Sequence, residues 1–60
     1  MNPRQMALRL IAEAQRSLLD TEARGLRMPR HEQRERTQDA TDLLLDAVAL
    51  LQQTVTDLGA

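Results

Sequence analysis

Leu44, Val48, Leu51, Val55 and Leu58 recur at alternating intervals of four and three residues. That spacing keeps one stripe of a helix apolar, with valine at the a and leucine at the d position of a heptad. A second row, Ala40, Leu43, Ala47, Leu50 and Thr54, runs beside it, and Asp39, Asp42, Asp46, Gln53 and Asp57 line the far side. Leu45 falls outside the arc. The apolar surface is wider than contact with one neighbour requires. A chain of 60 residues has little with which to cover it. Domains this small bury only about 60% of the surface their unfolded chains expose. The usual remedies are disulfides, a structural metal or self-association. There is no cysteine and one histidine, His31, whereas a metal site needs three or four ligands in fixed geometry. Self-association remains, and the heptad row is expected to act as core stripe and dimer seam together.

A partner for that helix lies upstream. Asn2 can cap a helix through its side-chain oxygen, Pro3 suits the first helical position, and Gln5 has capping-box-like spacing. Ala7, Leu8, Leu10, Ile11, Ala14, Leu18 and Leu19 then fall on one broad arc, of which Ile11 and Leu18 are assigned to the seam. Arg9, Glu13, Arg16, Asp20, Arg24 and Arg27 form a ladder of mostly alternating charge on the opposite face. Gly25 and Gly59 are expected to close the two helices at C′, where a left-handed backbone is common.

Between the helices the composition changes. Residues 24–36 hold Arg24, Arg27, Arg30, Arg34 and Arg36 against Glu32 and Glu35, a net of +3, while the residues after them carry a net of −4. Pro29 disfavours helix at Met28 but can itself open a helix. Two starts for the second helix therefore fit, at Pro29 or at about Thr37. Matching apolar to apolar positions favours the later start, with Ala7–Leu19 opposite roughly Asp42–Thr54. The expected fold is all-α: an antiparallel hairpin of helices at about 3–24 and 37–58 joined by a basic connection at about 25–36. The connection's Arg, Glu and Gln content still allows helical turns. Two such hairpins are expected to pair as a four-helix bundle. Valine at a and leucine at d also suit a parallel pairing of the second helices.

Several functions are excluded by what is missing. Leu43–Leu51 is the most apolar stretch, and it is interrupted by Asp46, whereas a membrane span takes about 20 apolar residues. Arg4 and Arg9 interrupt the only candidate signal segment, so a cytoplasmic protein is expected. There is no Cys, Lys or Tyr and no glycine-rich phosphate loop, so a nucleophile with its base and orienting group cannot be assembled. The chain is read as non-catalytic, with neither cofactor nor metal. The expected function is a homodimeric protein-binding module, regulator or inhibitor. A nucleic-acid-binding regulator acting through Arg24, Arg27, Arg30, Arg34 and Arg36 is the alternative, since arginine grips phosphate bidentately. Against it stand the net charge of −1, the absence of aromatic stacking platforms, and Glu32 and Glu35 within the patch. A purely structural oligomerisation module is the third reading. Leu45, Ala49 and Met28 are noted as an apolar patch for a foreign helix if all three stay uncovered together. No motif in the chain identifies a family.

Overall fold

The computed structural model describes residues 2–59. Helix α1 spans Pro3–Arg24, a single 3-10 turn follows at Gly25–Arg27, and helix α2 spans Arg30–Gly59. There is no strand among the described residues, and the two helices pack against each other. The result is a rod of 49 × 16 × 13 Å.

The start of α1 follows from three adjacent residues. Asn2 has extended backbone and its Oδ1 accepts from the Gln5 amide at 2.8 Å, while Pro3 occupies the first turn, where its missing N–H leaves no bond unmade. The end of α1 departs from expectation. Gly25 has φ −48° and ψ −43°, and no described residue has a left-handed backbone. The helix therefore tightens into the 3-10 turn instead of reversing at a glycine. The break comes at Met28, held extended at φ −101° and ψ 132° by the proline that follows it. Gly59 likewise sits inside α2, not beyond it.

Helix α2 begins at Arg30, earlier than the expected start at about 37. The Pro29 carbonyl accepts the first helical bond, from the Gln33 amide at 3.0 Å. Matching apolar positions could not reveal this start, because residues 30–36 contribute almost nothing to the seam. What holds them is local. Gln33 Nε2 donates to the Gly25 carbonyl at 2.7 Å and the Met28 carbonyl at 2.8 Å, tying the end of α1 and the connection to the first turn of α2.

The seam is built from small residues at heptad spacing. Ala7, Ala14 and Thr21 of α1 and Ala40 and Ala47 of α2 are the buried residues, the alanines at 0–1% exposure. Leu10, Leu43 and Leu50 flank them half-buried. A methyl group at each contact lets the helix axes approach closely, since interaxial distance is set by the side chains between them. Thr21 satisfies its buried hydroxyl by donating to the Ser17 carbonyl at 2.8 Å. Leu18 and Leu44 line one hollow beside the seam, and Leu10 and Leu50 line another on its far side. The antiparallel register thus runs apolar residue against apolar residue along both helices. Among the described residues no large side chain is fully buried. At about 0.8 kcal/mol per buried methyl, the alanines hold the hairpin together only weakly.

Candidate interaction surface

The heptad row does not lie in the seam. Seen down α2, the row Ala40, Leu43, Ala47, Leu50 and Thr54 faces α1, and the heptad row is turned roughly a quarter-circle away. Leu44, Val48, Leu51, Val55 and Leu58 are exposed to 37%, 48%, 38%, 71% and 76%. The row thus flanks the intramolecular seam, with Leu44 and Leu51 the least exposed of its members. The reason is steric. Alanine, not leucine or valine, permits the closest helix approach, and the alanines are on the neighbouring row.

Helix α1 extends this exposed surface. Ile11, Leu18 and Leu19 share a hollow with Leu44, while Val48, Leu51 and Val55 line the next one along α2. One broad face of the hairpin is thus apolar from Leu18 and Leu44, near its middle, along α2 to Val55. The opposite broad face is acidic, with Asp39, Asp42, Asp46 and Asp57 along α2. Met6 and Leu10 gather there with Ala49 and Leu50.

The total surface gives these observations a scale. The hairpin exposes 5041 Å2, whereas a compact monomer of its 6.8 kDa exposes about 4,000 Å2. The excess is close to what one partner contributes to a standard protein–protein interface, about 800 Å2.

The five arginines of residues 24–36 do not form one surface. Arg24 Nε lies 3.2 Å from Asp20 Oδ1, and Arg36 lies 2.8 Å from Asp20 Oδ2. Asp20 thereby belongs to a cross-helix bridge, and Asp20–Arg24 is the one pair of the expected α1 ladder that closes among the described residues. Arg30 and Arg34 line an open polar cleft with His31, Gln33, Thr37, Gln38 and Thr41. Arg27 lines a separate hollow with Arg24, Met28 and Glu32. Arg30, Arg34, Thr37 and Thr41 continue the stripe of Leu44, Val48, Leu51 and Val55 towards the turn. The stripe is therefore basic and polar at the turn end and apolar at the open end.

Leu45, Ala49 and Met28 do not make a shared patch. Met28 lies at the turn, Leu45 on the outer side of α2 more than four helical turns away, and Ala49 in the hollow with Met6. Sequence reasoning missed Gln33, whose spacing to Gly25 carries no periodic signal, and the cross-helix role of Arg36. Among the described residues no group of three His, Cys, Asp or Glu is placed to hold a metal ion. Among the described residues no helix is long and apolar enough to cross a membrane.

The fold and surface define a class: an antiparallel helical hairpin with an alanine-lined seam and an apolar face exposed within the single chain. Comparison with family models, curated proteins and solved structures finds no match.

Proposed function

We propose that this chain is a non-catalytic interaction module that works as a homodimer, two hairpins closing their apolar faces into a four-helix bundle. The observation that carries the reading is the exposed heptad row, continuous with Ile11 and Leu18, on a hairpin that buries no large side chain of its own. A bundle buries that row and leaves the acidic faces outward, one from each copy, as surfaces for another protein. Nucleic-acid recognition through the arginines is the weaker reading. Arg24 and Arg36 are engaged by Asp20, and Arg27 and Arg30 line different hollows.

Sedimentation equilibrium over a wide dilution series tests the proposal. The expected mass is twice 6.8 kDa, falling towards the monomer on dilution together with helicity. Leu51→Arg is expected to give monomer throughout. A wild-type chain that sediments as a folded monomer at about 100 μM overturns the proposal.

A further inference from the structure

Resting on that reading, we infer that the two hairpins pair antiparallel about an axis near Leu51, overlapping only along their open halves and holding their arginine-bearing turns at opposite ends of a rod. The inference comes from where the apolar face sits. Leu44, Val48, Leu51, Val55 and Leu58 are centred on Leu51, well towards the open end of a helix that runs from Arg30 to Gly59. Ile11 lies at nearly the same level, since its neighbour Leu10 shares a hollow with Ala49 and Leu50 of the antiparallel α2.

Three two-fold arrangements can cover this face. An antiparallel dimer with complete overlap brings each turn against the open end of the other copy, which carries Arg4 and Arg9 against the single acid Asp57. It also sets Val55 and Leu58 against Arg34 and Arg30, so these side chains lose their apolar partners, and apolar burial is the dominant effect. A parallel dimer matches the apolar rows but stacks Arg30 on Arg30 and Arg34 on Arg34 along the same stripe, gathering like charges at one end. It also aligns the α2 dipoles side by side. The preference of valine at a and leucine at d for parallel pairs belongs to two helices that meet alone, whereas here α1 flanks the row. Antiparallel pairing about Leu51 matches the apolar rows, separates the cations and opposes the dipoles. It leaves the cleft of Arg30, His31 and Arg34 open at both ends.

The chain has no cysteine, so His31→Cys provides one spin-label position, exposed and outside the proposed overlap. Dipolar distance measurement on the labelled full chain reads the arrangement directly. At 1.5 Å per helical residue, pairing about Leu51 places the two labels about 60 Å apart. Complete antiparallel overlap gives about 40 Å, and parallel pairing gives about 25 Å or less. A dominant distance near 60 Å supports the inference. Either shorter distance in a sample of dimeric mass overturns it while sparing the dimer. Absence of any intermolecular coupling, with a monomeric mass, overturns the underlying reading as well.

Discussion

Gln33 has more influence on this fold than its place in a polar stretch suggests. Its amide group donates to two carbonyls across the turn, Gly25 and Met28, from a part-buried position. Neutral hydrogen bonds contribute about 0.5–1.5 kcal/mol each. Gln33→Leu is therefore expected to destabilise the hairpin by about 1–2 kcal/mol, read as a lowered urea midpoint. Gly25 predicts the opposite effect. Its backbone is right-handed helical, and a Cβ added there meets no atom within 4 Å. Gly25→Ala should stabilise the chain by about 0.4–1 kcal/mol by restricting the unfolded state, and thermal melting measures it. Were Gly25 the left-handed terminator that its position invites one to expect, the same exchange would destabilise. Asp20 makes a smaller contribution. Its bridge to Arg36 joins the helices at a part-exposed site, where such pairs are worth about 0–1 kcal/mol.

Helix seams are set by the smallest side chains that recur at the right interval. Ala7, Ala14 and Thr21 against Ala40 and Ala47 leave no room for a larger group at the contact. Ala47→Leu is accordingly expected to cost about 1–3 kcal/mol by forcing the helices apart, seen as lost helicity and an earlier melt. Leu45→Ala, on the outer side of the same helix, should change stability by no more than about 0.5 kcal/mol. The helices themselves are legible from the chain. Asn2, Pro3 and the apolar arc define the first, and the two parallel rows define the body of the second. The start of α2 was less legible, because apolar matching carries no information over residues 30–36. The Pro29 carbonyl bond and the Gln33 clasp fix it instead. Choosing between the two rows of α2 also exceeded what periodicity carries. Hydropathy favours leucine and valine for the core, and close helix approach favours alanine.

At the scale of the whole molecule, the apolar face decides behaviour. Leu51 is 38% exposed in the hairpin, so an arginine there has a path for its charged end to reach solvent within one copy. In the proposed dimer it sits on the two-fold axis, and each bundle would then hold two opposed charges in its apolar centre. Charges buried without partners are strongly disfavoured, which is why Leu51→Arg is expected to abolish association at every accessible concentration. Helicity is expected to fall with it, since the alanine seam alone stabilises the hairpin by only a few kcal/mol. Sedimentation and circular dichroism on one sample separate the two effects.

The sequence by itself determined that this chain is two helices with caps, a proline break, a basic middle and more apolar surface than a hairpin needs. Those are properties of local spacing and composition, which are complete within a few residues. Only the tertiary structure decided which stripe of α2 turns inward, where that helix begins, and how the arginines are divided between Asp20 and the open cleft. These depend on how closely two particular helices can approach and on which side chains meet across the seam, and no periodicity along a single helix encodes either.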